Sequence, residues 1–509
     1  MGLRIAVELL AILHGPRISF ASSISILRPR LTSTVMLPVL QISDLHRSPT
    51  DPITNAELVA TVLQEHDHAV NRGMEPIRAI IVCGDLIQGC PLATPNFQEI
   101  LRGQYAVAHD LLTQLTDILL DGNISRLIVV PGNHDVCWNT ARSAMVEATE
   151  AEVKDAFNLL QIPGSNFRWD WKTLKLYKIS DPALYANRLA PYRNFFRDLY
   201  GNRIPETING DAWLFPIENV LFVGFESCSG TDCFNHAGAL TGESIGQVAT
   251  AIRGRNARLR VAVWHHNIEG PPLASDYLDG SYIRRLVYYG FRLGLHGHQH
   301  FAATSPVYIH TDRDEIMAVV SAGSLCAGRR DLPTGRQRGF NFLTIDEDQH
   351  HARVRSLAMD LEARVQPEYA FNGGSADREV RWTPAPQDTT LPDDVREATL
   401  EAERAKNEGR LDQAKETLVA HFSQLGVYGR SLLFQVLLEQ KDLDDLLRMF
   451  GDQLYPTEIP AVIAALIDVG RAKDAAALVE RYQNALTPDS RHFFQQRIDL
   501  LMSGGNDDR

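Results

Sequence analysis

The fold is decided by the stretch Val129-Val130-Pro131-Gly132-Asn133-His134-Asp135, in which an apolar run stops abruptly at three polar side chains. The run from Leu127 to Val130 is typical of a strand buried on both faces. The turn that follows carries an amide, an imidazole and a carboxylate, which are groups that bind metal ions or transfer protons. We therefore expect chemistry at the end of this strand.

The same pattern recurs along the chain. Other apolar β-rich runs also end in polar motifs. These motifs are Asp44-Leu45-His46, Gly84-Asp85, His265-His266 and Gly297-His298-Gln299-His300. In the first motif, the alternation of a strand places Asp44 and His46 on the same side of the chain. Helical periodicity in residues 54–70 and 97–120 separates the first three strands. The pattern predicts a layered α/β sheet with its chemistry at the strand ends.

Length and composition limit the classes of protein. A chain of 509 residues predicts two or three domains. The net charge of -13 excludes a generalised binder of nucleic acids or anionic membranes. The six cysteines form no C-x-x-C pair, which excludes zinc-ribbon and thioredoxin motifs and favours a reduced, cytoplasmic protein. The apolar residues 5–13 are about half the length of a spanning helix, so we expect no membrane anchor.

The chain divides into five predicted segments. Residues 1–34 are expected to be an N-terminal extension, with translation from Met36 or a secretion signal as the alternatives. The layered domain is predicted over 35–365, with an insertion at about 137–215. Three of its runs, 316–321, 340–345 and 352–358, predict an antiparallel second sheet. Residues 366–392 are rich in Pro, Gly, Asp and Thr and predict a linker or an extended edge. An all-α domain over 393–503 and a tail over 504–509 complete the chain.

The C-terminal region carries a turn-then-helix pattern that recurs. Aligning Leu411, Leu443 and Ala472 gives offsets of 32 and 29 residues, near the period of helical-hairpin repeats. The pattern resembles tetratricopeptide repeats loosely, and an irregular helical bundle is the alternative. We expect this region to mediate homo-oligomerisation or to bind a protein partner.

Taken in order, the polar motifs resemble those of the calcineurin-like metallophosphoesterase superfamily, over about residues 35–360. The resemblance implies a β-sandwich flanked by helices and a centre with two divalent metal ions. By motif, one ion would be held by Asp44, His46 and His300, and the other by Asn133, His265 and His298, with Asp85 as the bridge. The family often has proline after the His-His pair, where this chain has Asn267. His266 is therefore kept as the alternative ligand to His265.

The chemistry explains these residue types independently. Two cations about 3.5–4 Å apart repel each other, so a bridging carboxylate and a bridging hydroxide are needed to hold them. Nitrogen and oxygen ligands suit manganese, our first choice, and also iron, zinc or nickel. We expect in-line attack on phosphorus by the bridging hydroxide. His134 is expected to stabilise or protonate the leaving oxygen, with Asp135 orienting its ring. The alternative for His134 is a simple loop hydrogen bond.

The substrate is predicted less directly. Arg329 and Arg330 lie in a segment with four arginines, and guanidinium groups suit phosphate. We expect these two residues and His266 to bind substrate, with a solvated loop as the alternative. The leading prediction is a phosphodiesterase acting on a nucleotide, a cyclic nucleotide or a nucleic acid, including nuclease activity. The alternatives are a phosphomonoesterase, including a protein phosphatase, and a non-catalytic scaffold that works through its helical domain.

Overall fold

The computed structural model describes residues 36–161, 165–268, 276–310, 314–328, 332–360, 363–367, 377–384, 393–407, 409–455 and 458–504. The predicted N-terminal extension, residues 1–34, lies outside the described residues, and so do Arg329 and Arg330. Everything below concerns the described residues.

The strands and helices are numbered in chain order. The strands are β1 (Leu37–Ile42), β2 (Ala79–Cys83), β3 (Leu127–Val130), β4 (Met145–Glu147), β5 (Phe167–Asp170), β6 (Lys175–Ile179), β7 (Glu206–Ile208), β8 (Ala212–Ile217), β9 (Val220–Phe225), β10 (Leu259–Val263), β11 (Phe291–His296), β12 (Ala303–His310), β13 (Asp314–Ser321), β14 (Arg338–Asp346), β15 (His351–Met359), β16 (Val365–Pro367) and β17 (Asp377–Arg381). The helices are α1 (Asn55–Asn71), α2 (Phe97–Leu119), α3 (Trp138–Ser143), α4 (Glu150–Lys154), α5 (Ala156–Gln161), α6 (Pro182–Ala186), α7 (Ala190–Tyr200), α8 (Gly242–Ala251), α9 (Gly280–Tyr288), α10 (Asp393–Asn407), α11 (Leu411–Ala420), α12 (Val427–Glu439), α13 (Leu443–Phe450), α14 (Ile459–Asp468), α15 (Ala472–Arg481) and α16 (Pro488–Gly504).

Two large mixed sheets form the body of the protein. The first has the order β16-β15-β14-β1-β2-β3, with β17 also paired to β15, and its strands β1, β2 and β3 are parallel. The second has the order β12-β13-β11-β10-β9-β8-β7, with β9, β10, β11 and β13 parallel. The carboxyl ends of parallel strands lie at one edge of a sheet, so each sheet collects its strand-end motifs at one edge.

The prediction that residues 316–321, 340–345 and 352–358 form one antiparallel sheet is wrong, because these strands belong to two different sheets. β13 pairs parallel to β11 in the second sheet, whereas β14 and β15 form an antiparallel pair beside β1 in the first sheet. All three runs are strands, as expected. Local periodicity indicates a strand but does not say which distant strand it pairs with, which is why the grouping failed.

The sheets pack face to face around one apolar core. Buried side chains from both sheets belong to the same cluster, including Val39, Val129, Phe222, Val263 and Leu295. Helices α1 and α2 also contribute to this cluster, and α8 and α9 cover the other face of the second sheet. This arrangement confirms the predicted β-sandwich flanked by helices.

The predicted insertion, residues 137–215, extends too far. A small sheet of order β4-β6-β5 and helices α3 to α7 occupy its first part. However, β7 and β8 pair with each other, and β8 pairs with β9, so residues 206–217 form an edge of the second sheet. Tyr192 and Phe196 of α7 are buried in the main core. Some aromatic residues of this segment therefore belong to the core. The sequence pattern alone did not distinguish core packing from a segment that covers the site.

The C-terminal region is helical, from α10 to α16, and it has its own apolar core. That core includes Leu433, Leu446, Ile463, Leu466 and Leu478. The three aligned positions Leu411, Leu443 and Ala472 are each the first residue of a helix. The assignment to a helical-repeat class stays a prediction. Among the described helices, none is long and apolar enough to cross a membrane.

Candidate metal centre

The carboxyl ends of β1, β2, β3, β10 and β11 bring the polar motifs together. The loops after β1 and β2 run side by side, because Asp44 N–H donates to the Gly84 carbonyl and His46 N–H donates to the Asp85 carbonyl, each at 3.0 Å. The two sheets are tied together beneath this edge by buried Gln41, whose Nε2 donates to the carbonyls of His296 and Val320 at 3.2 and 3.1 Å.

A first ligand set is formed by Asp44, His46 and His300. His46 Nε2 lies 3.2 Å from His300 Nε2, which in turn lies 3.3 Å from Asp44 Oδ1. Together with Asp85, one ligand atom from each of these residues falls within 4.8 Å of all the others. Asp44, His46 and Asp85 are buried, so the four groups face one small enclosed volume.

The three residues expected to hold a second ion, Asn133, His265 and His298, also lie together, and they are called the second ligand set below. Asn133 Oδ1 lies 2.9 Å from both His265 Nε2 and His298 Nδ1, and these two nitrogens are 3.2 Å apart. Asp85 lies between the two sets, since its Oδ2 is 3.3 Å from His265 Nε2 and 3.8 Å from His46 Nε2. The Asp85 carboxylate is therefore close to both groups of side chains.

The electrostatics of the site suit cations. Burial raises the pKa of Asp85, but the imidazoles of His265 and His134 outweigh it and hold that pKa well below its usual range. Asp44 behaves in the same way, with His300 as its main opposing partner. Burial, and then the neighbouring His134, lower the pKa of His46 to about 3. Two carboxylates are thus anionic and one imidazole is neutral, which are the protonation states that metal ligands need.

His265 is held in a field that favours positive charge. Burial lowers its pKa, but Asp85 outweighs this and raises the pKa to about 9. A field that favours a proton on this ring also favours a metal ion in place of that proton, because both are cations beside the same carboxylate.

The donor geometry fits divalent metal ions. Two nitrogens that bind one ion at about 2.1 Å lie roughly 3.0–3.4 Å apart at octahedral and tetrahedral angles, and both imidazole pairs are 3.2 Å apart. Among the described residues, buried Asp44 Oδ1 faces His300 Nε2 at 3.3 Å without the geometry of a hydrogen bond. An unpaired buried carboxylate oxygen is costly, and a cation in the first ligand set would compensate it.

Backbone carbonyls and carboxylates orient the ligand rings. His265 Nδ1 lies 2.7 Å from the Cys83 carbonyl, which can only accept, so Nδ1 carries a hydrogen and Nε2 is the nitrogen that a metal ion would displace a proton from. His298 Nε2 lies 3.7 Å from Asp276 Oδ2, on the side of the ring opposite the second ligand set. These partners position the rings from outside the two ligand sets.

The ligand loops contain an unusual density of left-handed backbone. Five of the ligand residues have positive φ angles, namely Asp44 (50°), His46 (42°), Asp85 (52°), His298 (72°) and His300 (59°). This conformation is strained for residues other than glycine, and residues that adopt it concentrate at functional sites. Gly84 adds a steric requirement, because a Cβ there would lie 2.5 Å from His265 Nδ1.

The structure corrects the predicted role of Asp135. His134 Nδ1 lies 2.8 Å from the Gln88 carbonyl, so that carbonyl orients the His134 ring. Asp135 instead accepts hydrogen bonds from the backbone N–H of Gly132 at 2.8 Å and Leu86 at 3.2 Å, and from the Tyr105 hydroxyl at 3.0 Å. The turn after Gly132 directs the carboxylate back into the loop, so Asp135 clamps the loops after β2 and β3.

The expected substrate-binding role of His266 is also corrected. Its side chain is fully buried, with Nδ1 2.9 Å from Ser227 Oγ and Nε2 3.5 Å from Thr231 Oγ1. Both ring nitrogens therefore face protein hydroxyl groups, and solvent does not reach the ring. His265, the first choice, is the residue whose Nε2 faces Asn133 and His298.

Two residues near the site were missed from the sequence. Asp276 lies beside His298, and the His236 ring packs against Trp138 at a tilt of 45°, with ring centroids 5.5 Å apart. The loop that carries His236 crosses the site next to His266, since a Cβ at Gly238 would lie 2.6 Å from the His266 side chain. Neither residue follows an apolar strand or forms part of a motif, so no local pattern predicts their position near the site.

Comparison with known proteins identifies the class. Residues 37–302 match the family described as calcineurin-like phosphoesterase, and this match spans more than half of the sequence. The chain belongs to the calcineurin-like phosphoesterase family, which confirms the resemblance seen in its motifs. The fold therefore carries a cluster of Asp44, His46, Asp85 and His300 that can hold a metal ion.

Several solved structures align with the chain at low identity and low TM-score. PhoD is 12% identical with a TM-score of 0.40, and the alignment covers 70% of this chain and 73% of PhoD. The calcineurin-like phosphoesterase YfkN from Bacillus subtilis is 13% identical with a TM-score of 0.29, covering 79% and 98%. Vps29 from Entamoeba histolytica is 10% identical with a TM-score of 0.25, covering 68% and 99%. A search of curated proteins found no match.

Proposed function

We propose that the protein is a phosphodiesterase that depends on two divalent metal ions and hydrolyses a nucleotide, a cyclic nucleotide or a nucleic acid. The observation that carries this proposal is the place of Asp85, whose Oδ2 faces both His265 Nε2 and His46 Nε2. A carboxylate between two sets of nitrogen and oxygen donors would suit two divalent ions, which would supply Lewis-acid chemistry to a phosphate ester.

The residues divide the work between holding ions and serving the substrate. Asp44, His46 and His300 would hold one ion, Asn133, His265 and His298 the other, and Asp85 both. The bound ions supply a nucleophilic water and neutralise phosphate charge. Manganese is our first choice, with iron, zinc and nickel as alternatives.

His134 is assigned to the leaving group. Its ring lies 4.5 Å from the ring of His46, next to the first ligand set, and its Nδ1 is occupied by the Gln88 carbonyl. Nε2 is then the nitrogen that can stabilise or protonate the leaving oxygen of the ester. Asp135 acts indirectly, because it holds the loop on which Asn133 and His134 stand.

A phosphomonoesterase, including a protein phosphatase, is the second candidate, since one dinuclear centre serves both reactions. The third is a non-catalytic scaffold. The cluster of Asp44, His46, Asp85 and His300 supports an enzyme over a scaffold, and so does the approach of Asn133 Oδ1 to His265 and His298. Arg329 and Arg330 lie outside the described residues, and Arg338 of the same segment is buried and donates to the Ala327 carbonyl at 2.9 Å.

A substrate panel with Asp85→Asn tests the proposal. The full chain with added manganese is assayed on bis-p-nitrophenyl phosphate, p-nitrophenyl phosphate, cyclic nucleotides, and single- and double-stranded DNA and RNA. We expect faster hydrolysis of the diesters, and a loss of more than about 100-fold in Asp85→Asn because the bridging charge is removed. Asp67→Asn, an exposed carboxylate on α1, is the matched control and should keep wild-type activity.

The outcomes separate the candidates. Preference for p-nitrophenyl phosphate favours the monoesterase. Inactivity on all substrates while two manganese ions bind per chain favours the scaffold. Wild-type activity in Asp85→Asn contradicts the proposed mechanism outright.

A further inference from the structure

A cleft of about 930 Å³ lies between α2 and the helices α6 and α7, apart from the ligand sets. Its volume is in the range of about 300–1,000 Å³ found for small-molecule sites. No lining residue belongs to the first or second ligand set. We define the nucleotide cleft, the name used below, by the lining residues Phe97, Arg102, Tyr105, His109, Phe195 and Arg197.

The polar side of the nucleotide cleft is suited to an anion. Arg102, Arg197 and His109 line it, against one acidic lining residue, Asp198. This local excess of cations stands out in a chain of net charge -13. Within the part of the chain that the structure describes, Arg102 makes no ion pair and no side-chain hydrogen bond, so its guanidinium is available for a phosphate.

The other side of the nucleotide cleft is suited to a planar ring. Tyr105 and Phe195 are buried and stack with centroids 5.1 Å apart and 28° between their planes, and half-buried Phe97 lies beside them. The side-chain amides of Gln98, Asn187 and Asn194 also line the cleft. Amides form hydrogen bonds to the edges of nucleobases, and aromatic walls pack on their faces.

One residue joins the nucleotide cleft to the metal-binding loops. The hydroxyl of Tyr105 donates to Asp135 Oδ1 at 3.0 Å, while Asp135 Oδ2 accepts from the N–H groups of Gly132 and Leu86. Those two backbone positions are the neighbours of Asn133 and Asp85. A ligand that shifts the Tyr105 ring therefore acts on the clamp that sets these two metal ligands.

We propose that the nucleotide cleft binds a mononucleotide, one planar base with one phosphate group, and that Tyr105 transmits its binding to the metal centre. The binding stands on the cleft alone. The transmission rests on the proposed hydrolase function.

Binding is tested on the full chain loaded with manganese. The probes are the phosphonate analogues of AMP, GMP, CMP and UMP, in which a methylene group replaces the ester oxygen so that hydrolysis is blocked, and the readout is isothermal titration calorimetry. We expect at least one to bind, with Arg102→Gln about tenfold weaker because a charged hydrogen bond is lost. The control Arg203→Gln, an exposed arginine outside the cleft, should bind as wild type does. Adenosine and methylphosphonate, which carry only one half of the ligand, should bind at least tenfold more weakly.

Absence of binding by all four analogues overturns the proposal. So does binding that Arg102→Gln leaves unchanged, because the ligand then lies elsewhere. If the probe binds at the metal centre instead, Arg102→Gln leaves its binding unchanged and Asp85→Asn abolishes it.

Transmission is tested by hydrolysis of bis-p-nitrophenyl phosphate with the tightest analogue present. We expect at least a twofold change in rate for wild type and Arg203→Gln, and none for Tyr105→Phe, which keeps the ring and the binding but loses the hydrogen bond to Asp135. A change of the same size in Tyr105→Phe overturns the transmission. If no variant hydrolyses any ester, the proposed function has failed, and the calorimetry still decides the binding.

Discussion

His134 is the residue whose position separates the handling of the substrate from the binding of metal ions. Its ring is fixed through Nδ1 by the Gln88 carbonyl, and it contributes to neither ligand set. We expect His134→Asn to lower kcat for bis-p-nitrophenyl phosphate by about 100-fold or more, because general acid catalysis is lost. Manganese content should stay at the wild-type level.

The control for this change is His68→Asn, on the half-exposed side of α1, which should leave kcat unchanged. Loss of manganese in His134→Asn, measured by elemental analysis, would show that the residue supports the metal centre instead.

Residue types at the metal centre could be predicted because few side chains bind divalent ions. Asp44, Asp85 and His300 were recognisable since each follows an apolar run in a short polar motif. The partners that orient them were not recognisable. The Cys83 and Gln88 carbonyls belong to the backbone, and every residue has one, so no sequence signal marks them. The misassigned role of Asp135 has this cause.

The elements that carry the site are the turns at the ends of the strands, and glycine decides how closely they approach. Gly84 has a φ of 88°, and a Cβ would lie 2.5 Å from His265 Nδ1. Gly84→Ala should therefore destabilise the fold by roughly 1–3 kcal/mol and displace a metal ligand, lowering hydrolysis at least tenfold.

Gly73→Ala is the matched control, because Gly73 has a φ of 97° but nothing within 4 Å of a Cβ. Gly73→Ala should lower the free energy of unfolding in urea through its backbone strain alone, and it should keep full activity. Equal loss of activity in both variants would mean that backbone strain, and not the approach to His265, explains the effect.

Strands could be predicted at this scale, whereas their partners could not. An apolar run indicates a strand with both faces buried, and β1, β2 and β3 were predicted in this way. Pairing between β14 and β1 joins residues about 300 positions apart, as in Asn341 opposite Gln41. Such pairing is decided by the packing of the whole domain, which local periodicity does not contain.

At the scale of the molecule, the helical region is attached to the body by a buried ion pair. Arg285 of α9 and Glu403 of α10 form it, with side chains 13% and 4% exposed. We expect Glu403→Ala to lower the free energy of unfolding by about 3 kcal/mol, because it leaves a buried charge without its main partner. The apolar pair Arg285→Met with Glu403→Leu should cost less than Glu403→Ala alone.

Urea unfolding of the full chain measures both effects. Asp452→Ala, which removes the partner of Arg481 in an exposed ion pair of the same region, should change stability by less than about 1 kcal/mol. A double variant less stable than Glu403→Ala would show that the charges stabilise the attachment.

The change to a helical C-terminal region was visible in the composition, since helix formers replace β-branched runs from about residue 393. The attachment through Arg285 and Glu403 was not visible, because each is an ordinary helix-surface charge in sequence. Both side chains are largely buried in the folded protein, where α10 meets the body.

The left-handed backbone at Asp44, His46, Asp85, His298 and His300 bears on how the natural metal can be identified. Each of these positions costs roughly 1 kcal/mol or more, and ions bound by these residues would offset part of that cost. An ion present at about 100 times its dissociation constant adds about 2.7 kcal/mol to the stability of the folded chain. Melting temperatures recorded across a series of divalent salts would therefore rank the ions by preference before any substrate is known.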